Sequence, residues 1–163
     1  MRRLAVLALA LATSPAAADS LWTAELRAGY GVAIGGGQGT STKRLSPVAL
    51  DATISVAIHD QPRVFAYGGL AAETFDRSAV GATFGVRMHE PGTALRVAAG
   101  GTWLIAPYTL WGGVASAGLC TREDHGRRYC ADAQLTAYFA GTDLAEGKTV
   151  LQAQLMLGFA FGG

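Results

Sequence analysis

From Tyr129 to Phe139 every second residue is apolar: Tyr129, Ala131, Ala133, Leu135, Ala137 and Phe139. Asp132, Gln134, Thr136 and Tyr138 fill the places between. A period of two puts successive side chains on opposite sides of an extended backbone, so this pattern specifies a strand with two unlike faces. A helix would scatter the same residues around its axis.

The pattern recurs along the chain. Trp22, Ala24, Leu26, Ala28, Tyr30, Val32 and Ile34 alternate with Thr23, Glu25, Arg27, Gly29 and Gly31. A second run sets Val48, Leu50, Ala52, Ile54, Val56 and Ile58 against Ala49, Asp51, Thr53 and Ser55. A third, Arg63 to Thr74, is less regular, because Phe65 and Tyr67 share a face with Glu73. Val80, Ala82, Phe84, Val86 and Met88 oppose Gly81, Thr83, Gly85 and Arg87 in a fourth. Leu95, Val97, Ala99 and Trp103 oppose Arg96, Gly100 and Thr102 in a fifth. The sixth, Tyr108 to Leu119, is rich in glycine and alanine and reads on either face. The Tyr129 run is seventh, and Leu151, Ala153, Leu155, Leu157, Phe159 and Phe161 against Gln152, Gln154 and Gly158 make the eighth. HDQP and HEPG are turns by composition, and GGGQGTSTKRLS, between the first two runs, is expected as a flexible exposed loop.

Eight strands joined by short connections, with no helical segment between them, specify an all-β antiparallel meander. An even number can close into an up-and-down barrel and leave no edge. Such a barrel can turn its apolar face inward around a ligand, as a soluble periplasmic lipocalin-like carrier does, or outward against lipid. A water-facing exterior needs many charged side chains. Charged residues make up 15% of this chain, against roughly 25% in an ordinary soluble domain. Its two lysines, Lys43 and Lys148, both fall in connections, while the polar strand face holds Glu25, Arg27, Asp51, Arg87, Arg96 and Asp132. Three acids and three bases suit pairing inside a narrow lumen, with small residues on the same face leaving room for the arginines. Aromatics near strand ends, Trp22, Trp103, Phe139 and Phe161, fit interfacial girdles. The outward-apolar, transmembrane arrangement is therefore favoured, with a lumen filled by side chains.

On these features the chain resembles the small eight-stranded outer-membrane β-barrels of Gram-negative bacteria, the class of the OmpA membrane domain and OmpX. The resemblance implies a place in the outer membrane, contact with its lipid, and insertion by the barrel-assembly machinery, which reads an aromatic residue closing the last strand. Here that alternation ends on Phe161, followed by Gly162 and Gly163. The resemblance also implies that HDQP and HEPG face the periplasm and that GGGQGTSTKRLS and GTDLAEGK face outward. That orientation makes CTREDHGRRYC a periplasmic turn of unusual length.

The first residues, MRRLAVLALALATSPAAADS, run from basic to apolar to small, the order of a secretory signal peptide with cleavage expected after Ala18. That leaves residues 19–163 as one barrel domain and takes the formal charge from +1 to −1 by removing Arg2 and Arg3. A chain so nearly neutral offers no electrostatic footprint for nucleic acid.

Cys120 and Cys130, the only cysteines, flank the densest run of charge. In an exported protein a disulfide between them is the favoured reading, strapping the sixth and seventh strands. A metal would need more ligands than Cys120, His125 and Cys130 supply. GYGVAIG, Gly29 to Gly35, matches a loose dinucleotide pattern but lies within a strand with no helix after it, so strand glycines are the expectation. His59 and His89 read as solvated turn residues, and no Ser-His-Asp set can be assembled from spacing. The sequence thus names no catalytic, cofactor or metal residue. The function expected is a non-enzymatic structural or surface-interaction role, with a lipid-modifying barrel enzyme as the alternative from a different class. Oligomeric state is not encoded in these patterns.

Overall fold

The computed structural model describes residues 21–37, 40–60, 63–74, 78–89, 93–107, 109–122, 124–142, 144 and 146–162. The expected leader, residues 1–18, and its cleavage position lie outside them. The described chain forms eight strands: β1 (Trp22–Gly37), β2 (Thr40–Asp60), β3 (Arg63–Thr74), β4 (Ser78–His89), β5 (Leu95–Ala106), β6 (Leu110–Cys120), β7 (Arg127–Ala140) and β8 (Val150–Gly162). Each pairs antiparallel with the next, and β1 pairs with β8 from Thr23↔Gly162 to Gly35↔Val150. The sheet is therefore a closed up-and-down barrel. Closure satisfies the backbone ladder of every strand within the barrel wall, the condition for a sheet in lipid. β3 to β6 have 11 or 12 residues each, enough for a tilted crossing of about 9 to 11.

The faces follow the period of two. Leu26, Ile54, Leu70, Leu135, Leu155 and Leu157 are exposed on the outside, Leu70 and Leu155 at 71% each, whereas Glu25 and Arg87 are 1% and 2% exposed in the lumen. This is the inverse of a lipocalin, which buries its apolar face inside. The irregular third strand also obeys the rule. Phe65, Tyr67 and Glu73 all point inward and are buried, while Ala66 and Leu70 face out. What blurred its alternation was aromatic bulk on the lumen face.

The expected loop GGGQGTSTKRLS is instead largely strand. β1 runs on to Gly37 and β2 starts at Thr40, paired from Gly31↔Ser46 to Gly37↔Thr40. Apolar alternation ends near Ile34 because this ribbon rises beyond the barrel wall, where no core selects for it. The β2–β3 ladder begins only at Ala49↔Glu73. There the Thr74 hydroxyl accepts from the Val48 N–H and contacts its carbonyl, each at 3.3 Å, ending the pairing. A register shift between Gly29 and Gly31 coincides with Pro47 on the facing strand, a residue with no N–H to give a ladder.

The sixth strand begins at Leu110, two residues later than its glycine-rich pattern indicated, and the seventh starts three residues before Cys130, at Arg127. Cys120 and Cys130 face each other across β6 and β7 and are disulfide-bonded. The segment between them is a hairpin. Asp124 and Arg127 exchange backbone hydrogen bonds of 2.9 Å around His125 and Gly126, whose φ values of 49° and 73° are those of a two-residue type I′ turn. The Gly162 N–H donates to the Gly126 carbonyl at 2.8 Å, so this hairpin also holds the end of β8.

Candidate functional site in the barrel lumen

The barrel has a near end, which holds Trp22, the disulfide and Gly162, and a far end, which holds Gly37 and Val150. Inward positions of five strands converge in the near half. β1 supplies Glu25 and Arg27, β2 Asp51, β4 Arg87, β5 Arg96 and β7 Asp132. Each sits on the polar side of its strand alternation and each is buried.

These six charges form one continuous chain of contacts. Arg87 Nη1 lies 2.6 Å from Glu25 Oε2, and Arg96 Nη1 donates to Glu25 Oε1 at 2.7 Å. Arg96 then forks onto Asp132, with Nε donating to Oδ1 at 3.2 Å and Nη2 to Oδ2. Arg27 Nη1 stands 3.6 Å from Asp132 Oδ2, and Arg27 Nη2 donates to Asp51 Oδ2 at 2.5 Å. The order along the lumen is Arg87, Glu25, Arg96, Asp132, Arg27, Asp51, so the charge alternates and sums to zero. Burying charge is costly unless each partner is matched in sign and geometry. A two-pronged arginine–carboxylate contact such as that of Arg96 with Asp132 is the strong form of that match.

Small residues make the room. A Cβ placed on Gly158 would lie 2.7 Å from Glu25 Oε1 and 3.1 Å from Arg27 Cγ, and one on Gly118 would lie 2.2 Å from Asp132 Oδ1. Neutral groups complete the packing. Arg87 Nη1 donates to the Ser55 hydroxyl at 3.2 Å, and its guanidinium carbon lies 5.0 Å from the centre of the Tyr67 ring, within cation–π range. The Ser55 and Tyr67 contacts could have been read only from strand alternation, because neither residue has charge to draw attention.

The far half of the lumen is different. Ala33, Ala79, Leu104, Leu110, Tyr138 and Val150 form a buried cluster, with Leu144 packed against it. Below this cluster Glu73 accepts hydrogen bonds from the Tyr138 hydroxyl and, at 2.7 Å, from Gln152 Nε2. Gln134 Nε2 donates to Gln154 Oε1 at 3.2 Å. Glu73, Tyr138, Gln152 and Gln154 were not singled out by charge balance along the sequence. For Glu73 the available signal was its shared face with Phe65 and Tyr67.

Other sequence candidates fall elsewhere. His125 stands exposed at the hairpin tip beside Asp124, and both cysteines are taken up by the disulfide. Gly29 and Gly31 lie in β1 against β8, where a Cβ would meet the Leu155 and Ala153 carbonyl oxygens at 2.3 Å, so they are glycines of close strand approach. His89 ends β4 and is half-buried, not solvated as a turn residue would be. Turn composition did not show that β4 and β5 pair all the way to His89↔Arg96. His59 also pairs within a strand, opposite Val64.

The fold places the chain among known structures. Neisserial surface protein A, as seen in its crystal structure, superposes with a TM-score of 0.55 over 88% of this chain and 98% of its own, at 11% sequence identity. The fold is that of a small outer-membrane β-barrel. No family model and no curated protein matches the chain by sequence, so the likeness is one of backbone architecture. A barrel wall of this kind tolerates nearly free exchange of one apolar residue for another on the outside. Only the alternation has to persist.

Proposed function

We propose that this protein is an integral barrel of the outer membrane with a non-enzymatic structural or surface-interaction role, exported by its N-terminal leader. The observation that carries the reading is the inverted distribution of polarity: an apolar exterior around a lumen packed with paired charge. In water such an exterior would associate, whereas in lipid it is solvated. The aromatic residues support the same placement. Trp22 meets Phe161 edge-on at 6.2 Å near one end, and Trp103 stacks on Trp111 at 4.4 Å toward the other, as two interfacial girdles would.

A lumen occupied by the six-charge chain at one end and an apolar cluster at the other supports a plugged barrel rather than a pore. Its proposed partners are outer-membrane lipid and, during insertion, the barrel-assembly machinery, which would read the β8 alternation ending on Phe161. In the proposed orientation the start of β1 and the end of β8 face the periplasm. The β1–β2 ribbon then stands at the cell surface, and the disulfide hairpin lies in the oxidising periplasm. Fractionation with and without detergent tests the placement: recovery in the aqueous periplasmic fraction would overturn it. In planar bilayers the purified barrel is expected to show no steady conductance, and an open channel would contradict the plugged lumen.

A further inference from the structure

The near-end charge chain neutralises itself, but one lumen acid stands outside it. Glu73 receives two neutral hydrogen bonds, from Tyr138 and Gln152, and no arginine or lysine is within ion-pair distance of it among the described residues. A charge buried without a counter-charge is among the costliest features a fold can hold.

Glu73 borders an internal cavity of about 20 Å³. A space of roughly 10 to 15 Å³ on this measure is enough for one water-sized particle. Its wall is rich in oxygen: Asp51, Glu73, Thr83, Thr102, Gln134 and Thr136 all line it, together with Gln154, whose buried Nε2 has no hydrogen-bond partner among the described residues. Gln134 is only 8% exposed, and its Oε1 has no hydrogen-bond partner among the described residues. Thr83 and Thr102, which also line it, donate at 3.4 Å to the Gly101 and Ala82 carbonyls, and the Thr83 hydroxyl also meets Tyr67.

We propose that this cavity is a monovalent-cation site, sized for Na⁺, in which Glu73 supplies the charge and the neighbouring hydroxyl and amide oxygens supply coordination. Carboxylate, hydroxyl and amide oxygens select hard cations, and the amide nitrogens of Gln134 and Gln154 are not metal ligands. Charge selects a monovalent one. Asp51 is already committed to Arg27 at 2.5 Å, so Glu73 alone is uncompensated and a divalent ion would leave excess positive charge. The site lies between the apolar cluster and the ion-pair chain, so the ion enters as the barrel closes and thereafter exchanges slowly.

The test is to refold the protein from urea into detergent micelles in NaCl, CsCl or choline chloride at equal ionic strength and to measure thermal midpoints. Because a ligand held only by the folded state raises stability, the Na⁺ midpoint should exceed that in choline by on the order of 5 °C. Cs⁺, too large for the cavity, should behave as choline does. In Glu73→Gln the Na⁺ advantage should vanish. Equal wild-type midpoints in the three salts would overturn the proposal, showing a hydrated or protonated cavity instead. An undiminished Na⁺ advantage in Glu73→Gln would place the ion elsewhere and overturn it as well. Should the variant fail to refold, the wild-type series alone decides, through the presence or absence of size selection.

Discussion

Six charges from five strands fill the near half of the lumen, while the far half is closed by Ala33, Ala79, Leu104, Leu110, Tyr138 and Val150. Both halves have to fill the same cylinder without voids. The near half does so with directional contacts, in which Arg96 and Arg27 are each held between two carboxylates and Arg87 between Glu25, Ser55 and Tyr67. The far half does so with shape alone. The difference teaches where the barrel is intolerant: the charged half should fail when a single partner is removed, and the apolar half in proportion to the volume lost.

Replacing Arg96 by Met should have the largest effect. Arg96 joins Glu25 to Asp132, so its loss breaks the chain in the middle and leaves Asp132 with only the 3.6 Å contact to Arg27. Removing one side of a buried ion pair costs about 3 to 5 kcal/mol. Urea midpoints of barrels refolded in micelles would show it, and a midpoint equal to wild type would mean that the near half is not held by paired charge.

In the far half, Leu104→Ala should cost about 2 to 5 kcal/mol through the cavity left in the apolar cluster. The same urea titration should show a smaller loss for Leu104→Val, which leaves less space. A pair of variants equal to each other would deny that volume governs this end.

The disulfide fastens the near end from outside the lumen. Reduction, or a Cys120→Ser/Cys130→Ser double variant, should lower stability by about 2 to 3 kcal/mol, the loop-closure contribution of a bridge spanning about ten residues. Protease sensitivity should rise at Arg127 and Arg128 in the reduced barrel. An unchanged urea midpoint after verified reduction would show that the type I′ turn holds the hairpin unaided.

The smallest effect expected is at Gly158. An added methyl there meets Glu25 and Arg27, so Gly158→Ala should cost about 1 to 3 kcal/mol by overpacking. Gly113→Ala is the control, because its nearest new neighbour, the Gly100 carbonyl, lies 3.9 Å away. Equal midpoints for the two variants would refute the claim that glycine makes room for the charged chain.

The strands were legible because a two-faced sheet leaves its record residue by residue. β7 and β8 are the clearest, since every inward residue from Asp132 to Tyr138 is polar or hydrogen-bonding and every outward one apolar or small. The ribbon formed by residues 36–37 and 40–46 was not legible, because backbone pairing beyond the wall of the barrel imposes no apolar pattern. The members of the charged chain could be named from their strand faces and their equal numbers. Glu73 escaped that count because its strand carries Phe65 and Tyr67 inward, so its lumen face looks like an outer one.

By itself, the sequence determined that this chain is a meander of two-faced strands with charge on the minority face. From that, an all-β barrel with a polar lumen follows, because alternation is local and each strand records it independently. Tertiary structure alone decided which charge meets which. Glu25 and Arg96 are 71 residues apart, and Arg96 and Asp132 are 36 apart. Their heights in the lumen depend on strand tilt, on the register of every hairpin and on bulges such as the one at Pro47 and Val48. Those quantities accumulate around the closed circuit from β1 to β8, and no single strand contains them.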